Sequence, residues 1–128
     1  MSKRKHPIRL TTWARRLKKC TRELIDRCSY RYYVPRGWGS PIEQAKTQLR
    51  RMRLARYWFI RAARRSPGYN AEVESLLARL LASMQRIVSA CEHFPNNKLW
   101  PGHEHREEQT LLINRIVARC TGEWPCSL

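Results

Sequence analysis

Acidic side chains are scarce in the first half of this chain. Residues 1–66 hold only Glu23, Asp26 and Glu43, against 20 lysines and arginines, a net +17. Residues 67–128 hold 7 acidic and 6 basic side chains, a net −1. The whole excess of +16 therefore falls on one half. Charge of one sign repels itself in a folded chain, so such an imbalance points to a polyanionic partner: RNA, DNA or an anionic membrane. Long apolar runs are also missing. None approaches the roughly 20 residues that span a bilayer, and no signal-peptide core is visible, so no membrane span is expected. No CxxC pair occurs, and five cysteines, an odd number, make no disulfide framework. That usage fits a reducing, cytoplasmic compartment. No Gly-rich phosphate loop and no GxSxG elbow is found. The three acids of the first half lie on two different predicted helices, unlike the clustered carboxylates that hold a nuclease's metal ions. The chain is not expected to be an enzyme. Alternation of β period is absent over any useful length, which leaves an all-α fold.

What is present is organised around Ser40–Arg65, SPIEQAKTQLRRMRLARYWFIRAARR. Ser40 and Glu43 form an S-x-x-E capping box, and Pro41 suits a first helical position where no N–H is needed. Ser66-Pro67-Gly68 stops the helix. At 100° per residue, Ile42, Ala45, Leu49, Met52, Ala55, Phe59, Ile60 and Ala63 share one half of the wheel. Lys46, Arg50, Arg51, Arg53, Arg61, Arg64 and Arg65 share the other with Leu54, Tyr57 and Trp58. Arg56 breaks the pattern by lying on the apolar side. A buried arginine is costly unless paired, so Asp26, Glu107 or Glu108 is its expected partner, unless it snorkels to the edge.

Three further helices are predicted. The first starts at Thr11 or Thr12 and runs to about Tyr32. Its apolar stripe is Trp13, Leu17, Cys20, Leu24 and Cys28, with Arg15, Lys18, Lys19 and Arg22 opposite. Another runs from about Asn70 to His93, with Val73, Leu77, Leu80, Met84, Ile87 and Cys91 in an a/d series. The last runs from about His103 to Cys120, carries Leu111, Leu112, Ile113, Ile116 and Val117, and ends at Gly122. The expectation is one domain over residues 1–128, a small bundle of about four amphipathic helices. Residues 1–10 form a basic tail and residues 121–128 a C-terminal one.

The connecting stretches carry chemistry of their own. Tyr30 to Gly39 mixes tyrosines, arginines and Trp38, which either close one end of the core or stack on unpaired bases. Cys91, His93, His103, His105, Cys120 and Cys126 invite a metal reading. Their C-x-H and H-x-H spacings differ from the usual zinc pairs, so no metal and no cofactor is expected.

These features favour a non-enzymatic binder of the nucleic-acid backbone. Arg15, Lys18, Lys19, Arg22, Lys46, Arg50, Arg53, Arg61, Arg64 and Arg65 would form one groove or stripe that neutralises phosphates with little sequence preference. Tyr57, Trp58 and Trp38 are candidates for base stacking. The ligand would be RNA or single-stranded DNA, or an RNA–DNA hybrid. The less charged second half would face other subunits or a second copy. A duplex-DNA regulator is the first alternative, but helix-turn-helix readers use short helices and a tight turn. An anionic membrane surface is the second, since basic amphipathic helices with aromatics also bind there. No motif assigns the chain to a family. In architecture it is similar to the small subunit of multi-subunit CRISPR effector complexes and to the helical accessory protein of diversity-generating reverse transcriptases. That likeness of plan implies a cationic bundle working inside a ribonucleoprotein assembly, or as a reverse transcriptase's accessory protein.

Overall fold

The described residues form four helices: α1 (Leu10–Arg27), α2 (Pro41–Ala63), α3 (Ala71–His93) and α4 (Gly102–Thr121). This computed structural model describes residues 9–29, 40–93 and 100–122, and among them there is no strand. The all-α bundle expected from periodicity is the fold of the chain. Each helix packs on the next, and α4 returns to α1, so α1 lies between α2 and α4. Cross-contacts fix the directions. Trp13 near the start of α1 meets Trp58 near the end of α2. Lys46 at the start of α2 meets Glu92 at the end of α3. Arg119 at the end of α4 meets Glu72 at the start of α3. Neighbouring helices are therefore antiparallel, an up-down-up-down bundle.

The helix ends follow local chemistry where it is strong. The capping box closes as read: Glu43 N–H donates to Ser40 Oγ (3.1 Å) and Ser40 N–H to Glu43 Oε1 (3.0 Å). Val73 N–H donates to Asn70 Oδ1 at 3.0 Å, which caps α3. Gly122 adopts a φ of 78°, a left-handed turn that a Cβ would strain, and ends α4. The start of α1 differs from expectation. Its cap is Arg9, in extended conformation without a side-chain bond, and Thr11 and Thr12 lie within the first turn. The helix thus takes Leu10, and α4 takes Thr121, from segments read as tails.

The other end of α1 also departs from the reading, stopping at Arg27 rather than near Tyr32. A tertiary contact explains this. Trp100 N–H donates to Ser29 O (2.9 Å) and Gly102 N–H to Cys28 O (2.9 Å), so carbonyls at the end of α1 receive the start of α4. Gly102 is required there, because a Cβ would sit 2.7 Å from the carbonyl carbon and oxygen of Cys28.

One core fills the bundle. Leu17, Leu24, Met52, Phe59, Leu77, Leu80, Met84 and Ile116 are fully buried, each contributing roughly 1.5–3 kcal/mol of apolar transfer. The α3 series from Val73 to Cys91 is buried throughout, as its spacing requires. Trp100 is also enclosed, although its Pro- and Asn-rich surroundings read as a loop. Leu111, grouped with the apolar residues of α4, is 53% exposed. Among the described residues, no helix is long and apolar enough to cross a membrane.

Candidate nucleic-acid interface

The ion pairs of the described residues explain where the charge goes. Arg106 of α4 binds Asp26 of α1 at 2.6 Å, Lys46 binds Glu92 at 2.5 Å, Arg79 reaches Glu108 at 3.8 Å, and Arg119 pairs with Glu72. Of all the lysines and arginines on α1 and α2, Lys46 is the one with an acidic partner among the described residues. The acids of α1 are engaged elsewhere. Asp26 is held by Arg106, and Glu23 Oε1 accepts from Gln48 Nε2 at 3.1 Å. Arg15, Lys19, Arg22, Arg50, Arg53, Arg61, Arg64 and Arg65 are exposed, while Lys18 and Lys46 are half-buried.

These ten cations do not share one groove. Arg15, Lys18, Lys19 and Arg22 line a cleft of about 650 Å³ whose other wall includes Val117 and Thr121 of α4, and no α2 residue lines it. The α2 cations lie beyond α1, across the seam between α1 and α2. Lys46 faces α3, where it meets Glu92. Arg50 is exposed and, among the described residues, bonds only its own-helix neighbour Thr47, at 3.0 Å. The cationic surface is thus a belt around two helices, not a single channel, because the two charged faces point away from one shared apolar centre.

The seam itself is aromatic. Trp13 and Trp58 stack with ring centroids 5.9 Å apart and planes 24° from parallel. Tyr57 meets Trp58 edge-on at 5.2 Å. Arg16 lies 4.7 Å over Trp13, and Arg61 lies 5.5 Å from Trp58 and 5.9 Å from Tyr57. Arg61 Nη1 also donates to Tyr57 Oη at 3.3 Å. Such arrangements favour guanidinium over aromatic faces and offset ring pairs. Trp58 therefore presents one ring face to Trp13. Tyr57 is 51% exposed and Leu54 beside it 59%, which leaves Tyr57 as the open aromatic of the pair. Trp38 lies outside the described residues. Trp13 was legible as apolar but not as the partner of Trp58, and Arg16 carried no signal beyond its charge.

Other singled-out residues are structural in setting. Arg56 of α2 is half-buried. It has no ion pair among the described residues, and its Nε has no partner. Asp26 and Glu108, two of its expected partners, are bound to Arg106 and Arg79 instead. Cys91 is buried beside Cys28, its Sγ donating to Cys28 O at 3.7 Å. The hydrogen bond to Cys91, and then burial, push the Cys28 thiol up from its ordinary value. Cys120 lies at the opposite end of the bundle under Ser66, so Cys91 and Cys120 cannot share an ion. Burial pushes its thiol up to about 11. Cys20 sits at the α1–α2 seam, where burial and then Glu23 raise its thiol against the opposing pull of Arg51, Lys19 and Arg16. His105 Nδ1 lies 3.6 Å from Glu108. Compared with protein-family models, curated proteins and solved structures, the chain matches none of them.

Proposed function

We propose that the protein is a non-enzymatic helical subunit that holds the backbone of a nucleic acid, RNA or single-stranded DNA, within a larger assembly. The observation that carries this reading is the cationic belt: exposed arginines and lysines on α1 and α2 that, Lys46 apart, have no acidic partner among the described residues. Guanidinium forks match phosphate geometry. Their spread along whole helices suits phosphate tracking rather than the reading of a few base edges. Tyr57 adds an exposed ring on which an unpaired base can stack. The less charged α3 and α4, with Leu111 exposed on α4, supply the side for protein contacts.

The test is the affinity for two unrelated labelled single strands at several salt concentrations. With about six to eight phosphates neutralised, log K falls against log salt with a slope of about −4 to −6. Between 50 and 200 mM salt, affinity then drops from several hundredfold to about two-thousandfold, equally for both sequences. A slope near zero overturns the reading. A preferred palindromic duplex would replace it with a regulator of DNA. Nuclease-resistant sedimentation with anionic liposomes would replace it with a membrane-surface protein.

A further inference from the structure

The seam between α1 and α4 holds a second, smaller cavity of about 160 Å³, bordered by Lys18, Thr21, Arg22 and Ile25 of α1 and Thr110, Ile113 and Asn114 of α4. Lys18 and Arg22 border the larger cleft as well, so these two cations are shared by both spaces.

Thr21 is the unusual member. It is fully buried, and its Oγ1 has no hydrogen-bond partner among the described residues. A threonine inside a helix ordinarily returns its hydroxyl to the carbonyl four residues back. Two threonines of α4 do so: Thr110 donates to Arg106 O and Thr121 to Val117 O, each at 2.8 Å. Thr21 does not, and a buried hydroxyl without a partner costs stability. Asn114 is half-buried and makes no side-chain hydrogen bond within the described residues. Thr110 has its proton engaged by Arg106 O, so it is no donor here. The unengaged donors at the cavity are then the Lys18 ammonium, the Arg22 guanidinium, the Thr21 hydroxyl and the Asn114 amide.

Among the described residues, no carboxylate lines this space. Glu23 and Asp26 border the larger cleft, where Gln48 and Arg106 hold them. Two positive charges, two neutral donors and no acid select a compact anion with several acceptor oxygens. A space of about 160 Å³ has room for one such group with some water.

We propose that this cavity is a phosphate subsite: it seats one phosphate of a bound strand while the neighbouring nucleotides follow the larger cleft. The inference rests on the nucleic-acid reading above and names where on the protein one phosphate is fixed. Lys18 and Arg22 bring the anion in and Asn114 Nδ2 donates to its oxygens; Thr21 Oγ1, enclosed in the free protein, donates once the bordering Lys18 and Arg22 side chains turn toward the anion. The buried hydroxyl gains a partner only in the bound state.

The substitution Thr21→Val removes the hydroxyl and keeps the shape. The expected result has three parts. The free protein melts at the same temperature or higher, because an unpartnered polar group has gone. Single-strand affinity falls about tenfold or more. The salt slope stays unchanged, because no charge was removed, whereas Lys18→Gln lowers it by about 0.7. Thr21→Ser keeps the hydroxyl and binds as the wild type does, which guards against a packing effect of valine. Inorganic phosphate, compared with chloride at equal ionic strength, raises the melting temperature of the wild type and not of T21V. The subsite is overturned if T21V binds strand and responds to phosphate as the wild type does; a steep wild-type salt slope would then leave the backbone-binding reading standing. If the wild type binds no strand but phosphate still stabilises it through Thr21, the function reading falls and the subsite remains.

Discussion

Replacing Arg50, Arg53 and Arg61 together with glutamine strips three charges from the outer face of α2 and leaves every core residue in place. All three are exposed, and none has an acidic partner among the described residues. Glutamine forms helices nearly as well as arginine. The structural cost is mostly the guanidinium of Arg61, which lies 5.5 Å from the ring of Trp58 and 5.9 Å from that of Tyr57. Exposed contacts of this kind are worth about 0.5–1 kcal/mol, a fall of a few degrees in melting temperature at about this chain length. The binding effect is far larger. Three fewer phosphate contacts on a single strand reduce the salt slope by about 2, and at 0.1 M salt they weaken binding about a hundredfold. Fluorescence anisotropy with a labelled single-stranded RNA measures both, and circular dichroism with a thermal melt checks the fold. If the variant melts normally and keeps both affinity and slope, the α2 face does not touch the ligand. If it loses its helicity, the arginines are structural and the interface has been misplaced.

Other substitutions test the frame that holds this face. Ser40→Ala opens the capping box of α2 and should cost about 1 kcal/mol, a few degrees of melting temperature in calorimetry; no shift would mean the box is not closed in solution. Gly102→Ala places a Cβ 2.7 Å from the Cys28 carbonyl, so backbone must move and stability should fall by about 3 kcal/mol in urea unfolding; a neutral result would refute the close approach of α4 to the end of α1. Trp58→Ala removes the stack on Trp13 and should cost about 2 kcal/mol or more, since aromatic pairs add to plain burial; a chemical melt would show it, and an unchanged midpoint would mean the rings are apart. Alkaline pH should destabilise the fold. The folded state keeps Cys120 protonated up to about 11, above the ordinary 9.0, so it binds more protons than the unfolded chain in that interval. The contribution is full below 9.0 and lost as pH rises through about 11. Urea melts across this range should show the decline, and Cys120→Ala should make it shallower without abolishing it, since the Cys20 and Cys28 thiols are also raised.

The bundle was legible because its signals are local and periodic. The buried positions of α3 repeat at the spacing of its sequence pattern, and Ser40 with Glu43 reads as a cap before any tertiary contact exists. The end of α1 was not legible. It is set by Trp100 and Gly102, some seventy residues downstream, whose N–H groups reach the carbonyls of Ser29 and Cys28. Helical periodicity alone would have carried α1 further. The cations were legible one by one, but their division between an α1–α4 cleft and an outer α2 face depends on which helix neighbours which. Trp58 sits on the charged half of its wheel, which suggested an open ring; the seam places Trp13 against it. Arg56, expected to pair with an acid unless it snorkels, is only half-buried, and Arg106 and Arg79 hold Asp26 and Glu108. Thr21 gave no warning at all, since a threonine on the inner side of a helix normally bonds its own backbone.

The central claim is that the unpartnered cations of α1 and α2 hold a nucleic acid. Its most direct test is to purify the full chain at low salt without nuclease and to extract and digest what travels with it. The account predicts a single-stranded nucleic acid, RNase-sensitive if it is RNA, that is released when the salt is raised. A protein that elutes clean, with the absorbance ratio of protein alone, and binds no added strand at low salt would contradict it.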